Sequence, residues 1–190
     1  METANATLVR YVLDARASKF TVQAFVTGIL SAMGHNPTIG IRKFSGEVSF
    51  DRETPQASGF RLSIDATSLS VQDDISDKDR REIERLMNEQ VLVTAKYREM
   101  VYDSPMLSIT RLGEALFSAG LDGSLSLHGI VRSQPVTARI AVFGTMLRAS
   151  GEFTLSQADY EIKPVSVAGG ALKVKDELKV CFEMVAREQQ

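Results

Sequence analysis

The stretch of sequence that decides the fold reads Gly120-Leu-Asp-Gly-Ser-Leu-Ser-Leu-His-Gly-Ile-Val-Arg-Ser-Gln-Pro-Val-Thr-Ala-Arg-Ile-Ala-Val-Phe143. In its first half leucines alternate with polar residues, and from Val136 to Val142 every second residue is aliphatic. Because successive side chains of a β-strand point to opposite faces of the sheet, each half predicts a strand with one apolar face. The stretch therefore predicts a long antiparallel hairpin with one apolar wall.

The turn of this hairpin is expected between Gly129 and Gln134. Gly129 and the Arg-Ser-Gln segment at 132–134 are typical of turns. Pro135 has no backbone N–H to donate, so it belongs where the ladder needs none, such as the first residue of a strand. We therefore expect the second strand to begin at Pro135.

Other segments with alternating apolar residues lie on both sides of the hairpin. They predict strands within residues 11–25, 44–50, 60–65, 100–102, 107–109, 147–155 and 172–184. Together with the hairpin these segments give about eight to ten strands. The predicted fold class is all-β with an antiparallel meander, which leaves a sandwich and a barrel as alternatives.

One segment has helical periodicity, between residues 77 and 92. Its apolar positions recur at spacings of three and four and are Ile83, Leu86, Met87 and Val91. Ser76 or Asp77 can cap the start. We expect a single amphipathic helix that packs on the sheet or covers a barrel mouth. Its charged face, which includes Arg80 and Glu84, is interpreted as solvated surface rather than as a docking site.

Length and charge limit the function classes. The chain has 190 residues, which is enough for one domain with a substantial core, and no linker-like run divides it. We therefore expect a single domain over residues 1–190. Its 22 basic and 24 acidic residues are interspersed and give a net charge of −2. Without a basic surface field, a nucleic-acid partner is not expected.

The compartment is inferred from the N-terminal sequence and the cysteine content. The first residues lack the basic and apolar regions of a signal peptide, and no run approaches ~18 consecutive apolar residues. The single cysteine, Cys181, excludes an internal disulfide, and its alternating surroundings indicate a buried, inert thiol. We expect a cytoplasmic protein without a membrane span.

Residues suited to catalysis or metal binding are sparse. The two histidines, His35 and His128, have no cysteine or paired carboxylate at ligand spacing, so neither a metal nor a cofactor is expected. On one strand Ser124 and His128 would lie roughly 13 Å apart, which is too far for a catalytic pair. We expect His128 to lie near the turn with its ring hydrogen-bonded to the neighbouring hairpin backbone. A small pocket enzyme using His35 or His128 is the less favoured alternative.

The apolar strand faces point instead to the interior of a closed sheet. A barrel of about eight strands has an interior that is filled by side chains or holds one small ligand. At about −0.3 kcal/mol per heavy atom, a roughly 30-atom apolar chain could gain about −9 kcal/mol without any catalytic group. The nine phenylalanines keep a filled interior open as an alternative.

Four segments resemble the signatures of the YceI-like family of lipocalin-like β-barrels. The opening Tyr11-Val-Leu-Asp14 with Ser18-Lys-Phe20 is similar to that family's start. The segments Phe44-Ser-Gly-Glu-Val-Ser-Phe-Asp51, Ile64-Asp-Ala-Thr-Ser-Leu69 and Gly123-Ser-Leu-Ser-Leu-His-Gly-Ile130 follow in the family's order. The resemblance covers nearly the whole chain and implies an antiparallel eight-stranded lipocalin-like barrel.

The chain also departs from the family pattern. The family usually has Arg-Asp-x-His-Leu where residues 77–83 read Asp-Lys-Asp-Arg-Arg-Glu-Ile, and Tyr97 is followed by Arg98 rather than proline. Tyr160-Glu-Ile162 stands where Phe-Gly-Ile is common. Many members are exported, in contrast to the compartment expected above. The departures fall on the helix and the barrel mouth more than on the strands.

The resemblance implies a function, because characterised members bind polyisoprenoids and related amphiphiles. It implies non-catalytic binding, carriage or sequestration of a polyisoprenoid, an isoprenoid quinone or an acyl lipid inside the barrel. The residues expected to line the site are Phe20, Val22, Phe44, Val48, Phe60, Leu62, Leu125, Leu127, Val136, Ile140, Phe153, Val180 and Phe182. The alternative is a ligand-free barrel used as an interaction module, with a homodimer as one form.

Overall fold

The computed structural model of this chain describes residues 8–27, 36–50, 58–105, 107–167 and 172–189. Within them one α-helix, α1, spans Asp77–Leu86, and a π-helical turn follows at Met87–Val91. The first strands are β1 Val9–Leu13, β2 Lys19–Gln23, β3 Val26–Thr27, β4 Thr38–Ile41, β5 Phe44–Phe50, β6 Gly59–Asp65, β7 Leu69–Val71 and β8 Glu99–Ser104. The remaining strands are β9 Leu107–Arg111, β10 Leu116–Leu127, β11 Ile130–Phe143, β12 Met146–Ser156, β13 Ser166–Val167, β14 Leu172–Val174 and β15 Glu177–Glu188.

Eight antiparallel strands close into a barrel. They pair in the order β1-β5-β6-β8-β10-β11-β12-β15, and β1 also pairs with β15, so that the ring of strands is complete. The predicted all-β class and the eight-stranded antiparallel barrel are confirmed. A second, small sheet has the order β13-β14-β3. Closure decides which face of each strand is enclosed, and the alternating leucines of β10 and aliphatic residues of β11 are the enclosed ones.

The barrel wall is interrupted by hydrogen-bonded corners. β1 and β2 both pair with β15, and the residues between them turn around the backbone of Val185. Ser18 Oγ donates to the Val185 carbonyl oxygen at 3.2 Å and accepts from the Val185 N–H at 3.0 Å. The Asp14 carboxylate accepts from the backbone N–H of Arg16 at 3.1 Å. Such short polar side chains replace the ladder bonds that are lost between β1 and β2.

The central hairpin has a tighter turn than expected. Leu127 of β10 pairs directly with Ile130 of β11, so the loop is only His128 and Gly129, with φ values of 53° and 77°. Positive φ at both loop residues is the geometry whose twist matches two antiparallel strands. The expected turn through Gln134 is therefore wrong. Pro135 lies inside β11, where the ladder to β12 has not yet begun, so its missing N–H leaves no bond to β12 unmade.

Helix α1 is attached to the sheet by polar contacts as well as by its apolar face. Ser76 caps its start by accepting from the Asp79 N–H. Glu84 accepts from the backbone N–H of Val71 at 2.9 Å, and Arg80 donates to the carbonyl oxygens of Val71 and Asp73. β7 has no strand on its outer side among the described residues, so these side chains cover that edge. The solvated role expected for Arg80 and Glu84 is wrong.

The barrel interior is packed differently at its two ends. At one end, which we call the solid end, Tyr11, Phe50, Phe117 and Leu147 are at most 2% exposed. The rings of Phe50 and Phe117 meet edge to face with centroids 5.4 Å apart, a favourable aromatic geometry. The other end contains a cavity.

No helix in the described ranges is long and apolar enough to cross a membrane.

Candidate functional site

The cavity in the other end of the barrel, which we call the hollow end, has a volume of about 160 Å³. Side chains of β2, β6, β10, β12 and β15 supply most of its lining, and the segment after α1 adds Val91 and Leu92. Of the 24 lining residues in the described part of the chain, 22 are apolar. The two that carry polar side-chain atoms are Tyr102 and Gln157. Apolar walls with few polar groups are typical of sites for apolar small molecules.

The volume of the cavity limits its occupant. One water-sized position needs about 10–15 Å³ of this kind of volume, so the space takes on the order of ten non-hydrogen atoms. Ligand pockets for larger molecules usually have about 300–1,000 Å³. A chain of roughly 30 atoms, as considered from the sequence, therefore exceeds the space that the side chains leave. Longer tails require part of the wall to move.

The structure places ten of the thirteen predicted site residues in the cavity lining. These ten are Phe20, Val22, Phe60, Leu62, Leu125, Leu127, Val136, Phe153, Val180 and Phe182. Phe44 is not a lining residue, but its ring meets that of Phe20 edge to face with centroids 4.7 Å apart. Val48 and Ile140 are both 4% exposed and belong to the core outside the lining. Alternation thus identified inward-facing residues, and a role of the ten in ligand binding stays a prediction.

Fourteen lining residues were absent from the predicted set. Several follow the same alternation and could have been chosen, such as Leu121, Leu155 and Met184. Others come from short strands or loops whose position the sequence pattern does not give. These are Ile41, Leu69, Val91, Leu92, Gln157 and Ile162. The missed residues therefore lie mainly where segments outside the long strands fold onto the barrel.

The Tyr102 hydroxyl is occupied by the protein itself. It donates toward two backbone carbonyl oxygens, that of Gln134 at 3.0 Å and that of Leu121 at 3.3 Å. Burial raises the pKa of Tyr102 to about 12, although a backbone hydrogen bond from Gly123 lowers it in part, and Asp122 adds a smaller increase. The phenol therefore keeps its proton at neutral pH. It ties β8 to β10 and β11 and presents its ring to the cavity.

His128 does not contribute a polar group to the cavity. His128 lies in the hairpin turn, where its Nδ1 is 3.1 Å from the carbonyl oxygen of Tyr160 and its ring lies 4.4 Å from that of Tyr97. It is not a lining residue. A backbone hydrogen bond was expected, but the expected partner in the hairpin is wrong, because the carbonyl oxygen belongs to the turn after β12. His35 lies outside the described residues.

Comparison with known families identifies the barrel. The model of the YceI-like domain matches residues 11–186. The chain belongs to the YceI-like family. The resemblance seen in the four sequence segments is confirmed. A comparison with curated protein sequences finds no match.

Solved structures share the YceI-like fold at low sequence identity. A polyisoprenoid binding domain from Saccharophagus degradans is 18% identical with a TM-score of 0.70, over 95% of this chain and 99% of that one. BcnA from Burkholderia cenocepacia is also 18% identical, with a TM-score of 0.67 over 91% and 98% of the two chains. The Campylobacter jejuni YceI protein is 14% identical with a TM-score of 0.59, over 83% and 88%.

Several YceI-like signature residues of this chain build corners rather than the cavity. Asp65 accepts from the Thr67 N–H at 3.0 Å and from the Thr67 hydroxyl at 2.6 Å, which lowers the Asp65 pKa. Ser68 Oγ accepts from the Lys43 N–H at 2.9 Å. Gly129 must lack a side chain, because a Cβ would lie 2.6 Å from the Tyr97 ring. The polar and glycine positions of the signature therefore fix the wall, whereas apolar positions of the same segments, such as Ile64, Leu125 and Leu127, line the cavity.

Proposed function

We propose that this YceI-like protein binds an apolar amphiphile without catalysing a reaction on it. The tail of a polyisoprenoid, an isoprenoid quinone or an acyl lipid would occupy the cavity of the hollow end, for carriage or sequestration. The observation that carries this proposal is the cavity lining, in which 22 of the 24 described residues are apolar. The structurally similar Saccharophagus degradans protein, described as a polyisoprenoid binding domain, supports the same ligand class.

The chemistry of the lining supports binding rather than catalysis. No carboxylate, imidazole, thiol or amine belongs to the described lining, so no group there is suited to transfer a proton at neutral pH. Cys181 is half-buried in β15, not fully buried as expected, and is not a lining residue. No group of three or more potential metal ligands occurs among the described residues. The absence of catalysis, metal and cofactor stays a prediction.

The first test asks what the purified protein contains. Native mass spectrometry of the freshly purified protein, followed by solvent extraction, is expected to reveal a co-purifying molecule with an apolar chain. Repeated recovery of empty protein would count against the proposal only together with failure of added ligands to bind. A second test therefore uses added ligands of defined length.

Straight-chain alcohols from hexan-1-ol to hexadecan-1-ol measure the space directly. Each methylene transferred into the cavity contributes about 0.8 kcal/mol, so the Kd is expected to fall about fourfold per carbon while room remains. The decrease should level off near about ten to twelve non-hydrogen atoms, where the cavity is full. Titration calorimetry gives the Kd series. No measurable binding of any member would contradict the proposal.

A second candidate function rests on the outer face of the solid end. Leu116 is 43% exposed and Phe143 is 55% exposed, and Leu116 pairs across the ladder with Ala141, two residues before Phe143. Exposed apolar side chains on one face favour a protein contact, including the predicted homodimer. Light scattering should then show a dimer that Phe143→Ser dissociates. A wild-type monomer at high protein concentration would contradict this candidate.

The expectations about cellular location and nucleic-acid binding stay proposals. We propose that the protein is located in the cytoplasm and that it has no nucleic-acid partner. The even mixture of 22 basic and 24 acidic residues supports the absence of a nucleic-acid partner. Fractionation of cells that express the protein from its own gene tests the location. Recovery outside the cytoplasm would contradict it and leave the cavity proposal unaffected.

A further inference from the structure

Gln157 is the one amide side chain among the described residues that line the cavity. It follows β12 directly and is 3% exposed. Its backbone N–H donates to the carbonyl oxygen of Asp176 at 3.1 Å. Its backbone carbonyl oxygen accepts from the N–H groups of Tyr160 and Ile162. Both backbone polar groups of Gln157 are therefore hydrogen-bonded. The side-chain amide is the remaining polar group of this residue.

The orientation of the Gln157 amide follows from its partners. Nε2 donates to the carbonyl oxygen of Lys175 at 2.9 Å and to that of Asp176 at 3.3 Å. Rotating the amide by half a turn would place Oε1 against two carbonyl oxygens, which only accept hydrogen bonds. The NH₂ group therefore faces the loop between β14 and β15. Oε1 is the atom that remains, and no described residue donates a hydrogen bond to it.

Gln157 Oε1 has no protein donor among the described residues, so it is available to a ligand in the cavity. A ligand that displaces water from this oxygen without donating a hydrogen bond to it leaves the oxygen unpaired, which is unfavourable. The other polar side chain of the lining, Tyr102, cannot supply the missing proton because its hydroxyl already donates to backbone carbonyl oxygens. The lining among the described residues also contains no lysine, arginine or histidine. The cavity thus presents one acceptor and no available side-chain donor.

We propose that Gln157 Oε1 accepts a hydrogen bond from the ligand, and that the polar group of the ligand inside the cavity is an uncharged hydroxyl. This inference rests on the proposed function and narrows it to long-chain alcohols. A carboxylate or phosphate would bring a charge to apolar walls with no cation to balance it. An ether or ester offers only acceptors, so it would leave Oε1 unpaired and place a second oxygen beside it. A site with a buried polar group discriminates strongly between ligands that satisfy the group and ligands that do not.

Three probes with the same tail separate these cases: dodecan-1-ol, dodecyl methyl ether and dodecanoate. The methyl ether is the more apolar of the two neutral probes, so burial alone would favour it. Wild-type protein is expected to bind dodecan-1-ol about tenfold more tightly than the methyl ether, and dodecanoate more weakly than either. The Kd values come from titration calorimetry at one temperature.

Two readouts assign the preference to Gln157. Gln157→Met keeps a side chain of similar length without the amide, and should bind the alcohol and the ether with nearly equal Kd values. Gln90→Met, on the exposed turn after α1, is the matched control and should keep the wild-type ratio. In wild-type protein, the Cδ resonance of Gln157 is expected to shift on addition of dodecan-1-ol and not of the ether. This measurement requires no variant to fold.

The outcomes distinguish failure of the hydroxyl assignment from failure of the proposed function. If both neutral probes bind in the cavity with equal Kd values and the Gln157 Cδ resonance does not move, the hydroxyl assignment is overturned while the proposed function stands. If none of the three probes binds, the proposed function fails and the assignment fails with it. A preference for dodecanoate would also overturn the assignment, since it would require a cation that the described lining does not have.

Discussion

The solid end and the hollow end of the barrel are built from the same alternating strands, yet only one of them is full. β10 and β11 run through both ends, and every second residue from Phe117 to Leu121 and from Val136 to Val142 is buried inside the barrel. At the solid end, Phe50 and Phe117 meet across the interior at 5.4 Å. At the hollow end, Phe20 and Phe182 lie in the wall and leave about 160 Å³ between themselves and the opposite strands. Alternation decides which side chains face inward, and their arrangement at each level decides whether the space is filled.

The difference in packing also gives the two ends different roles. The solid end supplies stability, because close-packed aromatic and aliphatic residues gain both burial and contact energy. The hollow end loses part of that energy, since side chains around an empty space have no partner atoms on one side. An apolar ligand would restore those contacts. The predictions below compare the two ends by matched substitutions.

The largest effect is expected for loss of an aromatic ring at the solid end. Phe117 is 1% exposed, so Phe117→Ala should lower the free energy of unfolding by about 3–5 kcal/mol through lost burial and a residual cavity. Phe153 lines the cavity and is half-buried, so Phe153→Ala should lower it by only about 1–2 kcal/mol. Urea denaturation without ligand measures both. Equal losses would show that the two ends are packed alike.

Adding volume should have opposite consequences at the two ends. Ala186 is fully buried at the solid end, so Ala186→Leu should overpack the core and cost about 1–3 kcal/mol of stability. Ala138 lines the cavity, so Ala138→Leu should fold with little loss and weaken dodecan-1-ol binding by about tenfold or more. Urea denaturation and calorimetry distinguish the two outcomes. Unchanged binding in the Ala138 variant would place the ligand elsewhere.

The attachment of α1 should control how fast the hollow end exchanges ligand. Arg80→Ala removes donors to the Val71 and Asp73 carbonyl oxygens, and each such bond contributes about 1 kcal/mol. Because Val91 and Leu92, just beyond α1, line the cavity, a looser helix should speed ligand release by about fivefold. Stopped-flow displacement measures the rate. Arg81→Ala, at an exposed position of the same helix, is the control and should leave the rate unchanged.

The smallest effect concerns acid stability at a corner of the wall. The Arg187 guanidinium donates to Asp14 at 3.0 Å, and this bond, more than any other contact, lowers the pKa of Asp14. A lowered carboxyl pKa stabilises the fold above the unfolded-state pKa of about 4, and the contribution disappears as the pH falls through the folded-state value. Asp14→Asn should therefore destabilise the protein slightly at about pH 7 and less at about pH 3.

The control for the acid experiment is Asp74→Asn. Asp74 is exposed and makes no side-chain hydrogen bond or ion pair among the described residues. Its substitution should change the midpoint of urea denaturation equally little at both pH values. A difference between wild type and Asp14→Asn that grows toward low pH would contradict the sign of the Asp14 effect.

Much of the wall was predictable from the sequence, because period-two alternation is a local signal. It located β10, β11 and β12, and the enclosed face of each was correct. The turn was misjudged because Arg132, Ser133 and Gln134 are typical of loops as well as of exposed strand positions. Here His128 and Gly129 already satisfy a two-residue turn, and the following residues continue the ladder.

The cavity was less predictable, because its walls depend on contacts between distant segments. Ten residues of the lining follow from alternation, whereas Val91 and Leu92 enter it only because the helical turn after α1 folds onto the barrel. Val48 and Ile140 are buried as expected but belong to the packed core rather than to the cavity lining. Their cross-strand neighbours there include the large side chains of Tyr11 and Phe117. No local pattern predicts the hydrogen bonds of Arg80 and Glu84 to the backbone of β7 and Asp73, because these bonds depend on where helix α1 packs against the sheet.

The location of a bound tail tests the central claim most directly. A crystal structure of the protein with 12-bromododecan-1-ol would place the bromine by its anomalous signal. We predict a bromine peak inside the hollow end, enclosed by lining residues such as Phe60 and Phe182, with the hydroxyl near Gln157. A bromine peak on the outer surface, with the cavity unchanged, would contradict the account.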